Sequence, residues 1–220
     1  MQSQPDFAAV GSRRTALFYL LASCAAPMIA RAGDACAPAC CHRDIWLIDT
    51  HCLGDCECDV RTARFLRLNE CGQWVQESHD SFFQTHDVAK PVNVFLPGYM
   101  SRTQLVVEHG WSLQRGFEQY AHCHGADCPN VRLVFWDWPS EVERLRLIND
   151  ARAKAIRADQ EGFWVGQLVS RMPAEARVNL VGYSFGARIA PSAANNLAGG
   201  YCGHCPFEPS PTTPHLTGVL

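Results

Sequence analysis

The sequence predicts an α/β protein with a three-layer α/β/α architecture, in which helices cover both faces of a mainly parallel sheet. Three observations predict this class. Several short runs are apolar throughout rather than alternating with polar residues, which is typical of strands buried on both faces. These runs alternate along the chain with longer segments of helical periodicity. Hydrophobic residues make up 47% of the 220 residues, which is enough to bury the core of one domain.

Five apolar runs predict the strands of the parallel sheet. The second run breaks at Pro97-Gly98, and the third is ended by Pro139. In chain order, the runs occupy residues 44–50, 91–98, 131–140, 177–182 and 215–220.

An N-terminal antiparallel hairpin is predicted between the first two of these runs. Residues 63–68 and 73–78 flank the turn Asn69-Glu70-Cys71-Gly72, whose glycine accepts a positive φ. The hairpin would add an antiparallel edge to the sheet.

Helical periodicity predicts three helical segments between the strands. Residues 102–121 place apolar side chains at steps of three and four, and residues 187–198 continue directly from a strand. Residues 140–172 are predicted to be mainly helical, with a break near Gly162 or Gly166.

The N-terminus has the parts of a secretory signal peptide, which we place at residues 1–32. A Ser-Arg-Arg at 12–14 precedes an apolar run over 16–30, and Ala-Arg-Ala at 30–32 provides a cleavage site. Both general secretion and twin-arginine export remain open. The sequence Leu-Ala-Ser-Cys at 21–24 resembles a lipoprotein box, so the alternative is an exported lipoprotein anchored to a membrane through Cys24.

Cysteine is unusually frequent, with 12 residues, most of them before residue 72. Export favours disulfide formation, and residues 33–80 are therefore predicted to be a cysteine-rich segment that also carries the edge strands. Eleven cysteines follow Cys24, so at least one has no intrachain partner. Local pairs, which the sequence does not fix, would join Cys123 with Cys128 and Cys202 with Cys205.

Metal binding by these cysteines is the alternative to disulfides. Their spacing matches no regular zinc ribbon or finger, so we predict neither a metal nor a cofactor. The residues that would take part are Cys40, Cys41, Cys56 and Cys58 with His42 or His51, or Cys202 and Cys205 with His204.

Charge excludes one class of partner. The net charge is −3 and the isoelectric point is about 6.3, with no long run of one sign. A nucleic-acid-binding chain usually carries a basic patch, so no nucleic-acid partner is predicted. The oligomeric state stays open.

The sequence Gly182-Tyr183-Ser184-Phe185-Gly186 has the G-x-S-x-G form of a strained turn between a strand and a helix. In such a turn the flanking glycines allow two backbones to pass closely, and the serine hydroxyl stands clear of the sheet. The backbone N–H groups that follow can stabilise a developing oxyanion.

The segment "VNLVGYSFGARIA" resembles the nucleophile elbow of the α/β-hydrolase superfamily, particularly its lipase-like and esterase-like members. "VNVFLPGY" is similar to the family's third strand and oxyanion loop, and "LVFWDWPS" to its next strand. The resemblance extends from about residue 90 to residue 220, which identifies residues 81–220 as a partial α/β-hydrolase domain.

The resemblance implies roles for individual residues. Ser184 would be the nucleophile, and the backbone N–H groups of Phe185 and Tyr99 would form the oxyanion hole. The substrate would be a small-molecule ester or a lipid. Family members commonly carry His-Gly at the oxyanion loop, whereas this chain has Pro97-Gly98.

The family's acid and histidine follow the serine along the chain. After Ser184, the only acidic residue is Glu208, and His215 would open a strand at the edge opposite the serine. Asp137 ends an earlier strand, where lipase-like chains usually carry a structural residue. We therefore expect an exported serine hydrolase whose chain is truncated and lacks a triad acid and base. The alternative is a non-catalytic, disulfide-stabilised secreted or envelope protein that keeps the fold for binding or structure.

Overall fold

The computed structural model describes residues 44–54, 58–126, 129–143, 147–200 and 214–219. Several predicted features lie outside the described residues: the signal segment with Cys24, the cysteines at 36–41 and 56, and Glu208. The possible partners Cys128, Cys202 and Cys205 also lie outside them.

Among the described residues, seven strands form one sheet. In chain order they are β1 (Asp44–Asp49), β2 (Arg64–Leu68), β3 (Trp74–Glu77), β4 (Val92–Leu96), β5 (Arg132–Asp137), β6 (Arg177–Gly182) and β7 (His215–Val219). Across the sheet the order is β3-β2-β1-β5-β4-β6-β7. All neighbours from β1 to β7 are parallel, whereas β2 is antiparallel to both β1 and β3. The α/β class with a mainly parallel sheet is confirmed.

In the described part of the chain, four α-helices and one 3-10 turn accompany the sheet. The helices are α1 (His79–Gln84), α2 (Thr103–Cys123), α3 (Leu147–Ser170) and α4 (Gly186–Leu197), and the 3-10 turn is Val60–Thr62. None of the helices in the described part combines the length and apolar character that crossing a bilayer requires.

The break predicted within residues 140–172 is wrong. Helix α3 runs without interruption through both Gly162 and Gly166. Gly162 instead allows α4 to approach closely, because a Cβ at this position would lie 2.4 Å from the Cβ of Ser192. The glycine is therefore explained by packing between two helices.

The apolar side chains of the strands form two separate clusters. Trp46 and Ile48 of β1 belong to a cluster that includes Trp164 of α3 and Ile189 of α4. Ile45 and Leu47 of the same strand belong to a second cluster with Val106 of α2. Successive side chains of a strand point to opposite faces, so burial of both sets explains why the run has no polar alternation.

Arg132, at the start of β5, connects the sheet to α1. Its side chain is fully buried, and its Nε lies 2.7 Å from a carboxylate oxygen of Asp44 on β1. The guanidinium also donates to the backbone carbonyls of Phe82 and Thr85 at the end of α1. Helix α1 was not predicted from the sequence, since six residues are too few to show a period.

The turn between β2 and β3 contains a glycine with positive φ. Gly72 has a φ of 74°, and its N–H donates to the Asn69 carbonyl at 3.0 Å.

No disulfide joins any two of the four described cysteines, which are Cys52, Cys58, Cys71 and Cys123. The disulfides expected from the sequence therefore remain a prediction.

Candidate functional site

Ser184 lies between the end of β6 and the start of α4, in a strained backbone conformation. Its φ is 55°, a region that residues other than glycine seldom occupy. Hydrogen bonds hold the turn on both sides: the Tyr183 N–H donates to the Leu96 carbonyl at 3.0 Å, and the Gly186 N–H donates to the Tyr183 carbonyl at 2.9 Å. Ser184 itself is exposed, as the sequence predicted for a nucleophile.

Three glycines leave the space that this turn needs. A Cβ on Gly186 would lie 1.8 Å from the Leu96 carbonyl oxygen, and one on Gly182 would lie 2.6 Å from the Gly186 carbonyl oxygen. A Cβ on Gly98 would lie 2.9 Å from the Cβ of Ser184. The loop after β4 therefore lies directly against the serine, as an oxyanion loop must.

The two predicted oxyanion donors belong to these adjoining turns. Among the described residues, neither the Tyr99 nor the Phe185 backbone N–H donates a hydrogen bond. The rings of the two residues also contact each other, with centroids 5.5 Å apart. In the described part of the chain, neither N–H group is therefore committed to a backbone acceptor.

Asp150, in the first turn of α3, fixes the loop after β4. The Tyr99 hydroxyl donates to an Asp150 carboxylate oxygen at 2.7 Å, and this hydrogen bond raises the pKa of Tyr99 to about 12. The other Asp150 oxygen accepts the Glu143 N–H at 3.1 Å. Sequence reasoning missed Asp150, because no motif distinguishes it from an ordinary acidic residue in a first helical turn.

Neither His215 nor Asp137 is placed to activate Ser184. His215 pairs with Arg177 at the amino end of β6, which is the edge opposite the serine. Asp137 ends β5, two strands from β6, a separation of about 10 Å across the sheet. Among the described residues, no side chain hydrogen-bonds the Ser184 hydroxyl. His109 on α2 packs beside Tyr183, with ring centroids 6.4 Å apart.

A second group of polar side chains lies at the carboxyl ends of β1 and β5. Asp49 and Asp137 are paired in register as the last residues of these neighbouring parallel strands. His51 follows β1, and its Nδ1 lies 2.8 Å from an Asp49 oxygen, while its Nε2 lies 3.4 Å from an oxygen of Glu141. One donor atom from each of Asp49, His51 and Asp137 lies within 4.8 Å of the others, so these three residues could hold a metal ion.

The environment changes the acidity of each member of this group. The hydrogen bond with Asp49 raises the pKa of His51 to about 9, against the opposing effect of burial. Burial raises the pKa of Asp137 to about 6. Burial also acts to raise the pKa of Asp49, but the hydrogen bonds from His51 outweigh it and the net pKa is lowered.

Sequence reasoning found parts of this group but not the group itself. It considered Asp137 as a triad acid and considered His51 only as a ligand alongside cysteines. The available signal was the Asp-Thr-His at 49–51, directly after a predicted strand. Recognising the group from this signal requires knowing that β1 pairs with β5. These two strands are far apart in the sequence.

No protein-family model, curated protein or solved structure matches this chain. A functional assignment therefore depends on the residues and the geometry described above.

Proposed function

We propose that this chain is an exported serine hydrolase of the α/β-hydrolase type that acts on carboxylic esters or lipids through Ser184. The observation that carries the proposal is the positive φ of Ser184 in a glycine-flanked turn, with Gly98 packed against it. In this proposal the sheet, its N-terminal antiparallel hairpin and the helices on both faces form an incomplete three-layer α/β-hydrolase fold. Residues 1–32 would be the signal peptide, or Cys24 would be the anchor of a lipoprotein.

The proposed reaction proceeds through an acyl-serine. The Ser184 oxygen adds to the ester carbonyl carbon, and the carbonyl oxygen becomes an oxyanion that accepts hydrogen bonds from the Phe185 and Tyr99 N–H groups. The ester C–O bond then breaks, and the departing alcohol takes the proton that the serine loses. Water adds to the acyl-serine, releases the carboxylic acid and regenerates the serine hydroxyl.

Activation of the serine limits the expected rate. The described residues provide no base within hydrogen-bond reach of Ser184, and a serine hydroxyl is a weak nucleophile without one. Hydrolases that have lost triad members keep about 10³–10⁴-fold acceleration over water from the oxyanion hole and binding. We therefore expect slow, Ser184-dependent hydrolysis.

Apolar surface beside the serine suits an acyl substrate. Met100 and Tyr183 lie on the two turns that adjoin Ser184, and their side chains are 49% and 55% exposed. Met100 also lines a cavity of about 300 Å³ with Arg102, Gln104, Leu105 and Glu108. Exposed apolar side chains next to a reactive group commonly mark a binding site for an apolar ligand.

A second candidate function is a non-catalytic secreted or envelope protein, stabilised by disulfides, that keeps this fold for binding or structure. The observation that favours it is that no described side chain hydrogen-bonds the Ser184 hydroxyl. In that case the strained turn would be retained because it shapes the protein surface at the carboxyl end of β6.

Hydrolysis of p-nitrophenyl butyrate separates the two functions. The full chain is expected to release p-nitrophenol above the buffer rate, and Ser184→Ala is expected to release it more slowly, with only the acceleration that an oxyanion hole and binding give to direct attack by water. Ser112→Ala is the matched control, because Ser112 is an exposed serine on α2 whose hydroxyl bonds only within its own helix. Equal release by the wild type and Ser184→Ala would support the non-catalytic function.

A further inference from the structure

The carboxylate of Asp137 is buried without the partners that a buried charge requires. The residue has no solvent exposure, and neither oxygen accepts a hydrogen bond of standard geometry among the described residues. The Thr103 hydroxyl lies near enough to lower the carboxyl pKa without making such a bond. A buried, unpaired carboxylate is costly, so its presence in a well-packed sheet needs an explanation.

The side chains around Asp137 do not supply the missing donors. His51 directs one ring nitrogen to Asp49 and the other to Glu141. Arg64, on β2, binds the second oxygen of Asp49 at 2.9 Å. Three carboxylates thus lie around one imidazole and one guanidinium, and the hydrogen bonds of these two groups go to Asp49 and Glu141 rather than to Asp137.

The arrangement suits a metal ion. Donor atoms that share an ion through bonds of about 2.1 Å lie at most about 4.2 Å apart. The donors of Asp49, His51 and Asp137 lie within 4.8 Å of one another. Side-chain rotation would have to close the widest pair by about 0.6 Å if its donors bind on opposite sides of the ion, and by about 1.4–1.8 Å if they bind as neighbours.

We propose that Asp49, His51 and Asp137 form a binding site for a divalent transition-metal ion, with Glu141 as a fourth ligand or a support for the bound water. One imidazole among carboxylates favours Mn²⁺, Fe²⁺ or Zn²⁺ over Mg²⁺ or Ca²⁺, which prefer oxygen alone. The side chains of His51 and Glu141 are each 34% exposed, which leaves the ion open to solvent on that side.

This site is separate from the proposed nucleophile. The carboxyl end of β4 lies between β5 and β6, so Asp137 is about 10 Å from the Ser184 turn and His51 is farther still. His51 therefore does not bridge Asp137 and Ser184 as a triad histidine would. The metal proposal stands whether or not Ser184 is a nucleophile.

Titration of the untagged full chain with Mn²⁺, followed by electron paramagnetic resonance of the free ion, tests the proposal. Mn²⁺ is chosen because it binds thiolates poorly, so the 12 cysteines of the chain compete little. We expect saturable binding of a single ion in the wild type. Asp137→Asn and His51→Gln are each expected to weaken binding by at least about tenfold.

Asp80→Asn is the matched control, since His79 and the exposed Asp80 on α1 form another histidine–aspartate contact, at 3.1 Å. It should bind Mn²⁺ as the wild type does, and so should Ser184→Ala. Asp137→Asn is expected to fold at least as well as the wild type without metal, because it removes a buried charge.

The proposal is overturned by absence of saturable binding below about 1 mM. Equal binding by Asp137→Asn and the wild type would also overturn it.

Discussion

At the scale of single residues, the turn at Ser184 combines strain with glycines that make the strain possible. A residue other than glycine with a left-handed backbone costs about 1–2 kcal/mol. The conformation persists because Gly186 packs against the Leu96 carbonyl and Gly182 against the start of α4. These contacts join the end of β4, the end of β6 and the start of α4. The exposed conformation of Ser184 therefore depends on residues that do not touch a substrate.

Gly186→Ala tests this dependence. The added Cβ would lie 1.8 Å from the Leu96 oxygen, so we expect the free energy of unfolding to fall by about 3 kcal/mol or more. Gly116→Ala is the control, because Gly116 is an exposed glycine within α2 with no atom within 4 Å of the added Cβ. That variant should be more stable by about 0.5–1 kcal/mol. Denaturant titration measures both, and equal effects would contradict the close approach at Gly186.

His86 predicts how stability changes with pH. Both ring nitrogens are buried and unbonded among the described residues, and burial and then the nearby Arg132 lower the pKa of His86. Below about pH 6.5, the unfolded chain binds a proton at this residue more readily than the folded chain does. Stability contributed by neutral His86 is therefore present above this pH and is lost as the pH falls through the lowered folded pKa.

Denaturant titrations between pH 7.5 and pH 5, on the wild type and His86→Gln, measure this effect. The stability advantage of the wild type over His86→Gln should shrink as the pH falls. Parallel pH profiles of the two proteins would show that the ring titrates alike in the folded and unfolded chains.

At the scale of secondary-structure elements, Arg132 holds α1 against the sheet. Its guanidinium bonds the carboxylate of Asp44 on β1 and two carbonyl groups at the end of α1. The aromatic rings of Trp46 and Phe82 also lie beside it, with centroids 5.4 Å and 5.0 Å from its Cζ. A single side chain thus connects β5, β1 and α1.

Arg132→Met is expected to destabilise the protein by about 3–5 kcal/mol, because it removes the nearer and fully buried of the two cations of the Asp44 carboxylate and leaves only the more exposed Arg67, at 4.0 Å. Arg115→Met, at an exposed position on α2, should change stability by less than about 0.5 kcal/mol. The free energy of unfolding from urea titration measures both. A loss below about 1 kcal/mol for Arg132→Met would show that the ion pair is replaceable by apolar packing.

Prediction of elements from sequence succeeded where the pattern is local. The strands at 44–49 and 177–182 are short apolar runs with clear ends, and the structure places them as the sequence predicts. The break expected in α3 failed because Gly162 serves contact with α4, which lies about 30 residues further along the chain. A local pattern does not distinguish a glycine that ends a helix from one that allows another helix to pack closely against it.

At the scale of the whole molecule, the order of the strands decides which residues meet. The strained turn at Ser184 is encoded by consecutive residues and could be predicted. The group formed by Asp49, His51 and Asp137 could not, because it depends on the register of β1 with β5, nearly 90 residues apart. The same order places β4 between Asp137 and Ser184, so the residue that the sequence offered as a triad acid belongs to another site.

Labelling of the whole chain with a fluorophosphonate, followed by intact-mass and peptide mapping, tests the central claim most directly. A fluorophosphonate reacts faster with a serine where backbone N–H groups stabilise the developing oxyanion, so slow labelling is expected at Ser184 even without a neighbouring base. We expect one adduct on the peptide that contains Ser184, loss of that adduct in Ser184→Ala, and its retention in Ser112→Ala. Absence of labelling at Ser184 in the folded wild type would contradict the assignment of this chain as a serine hydrolase.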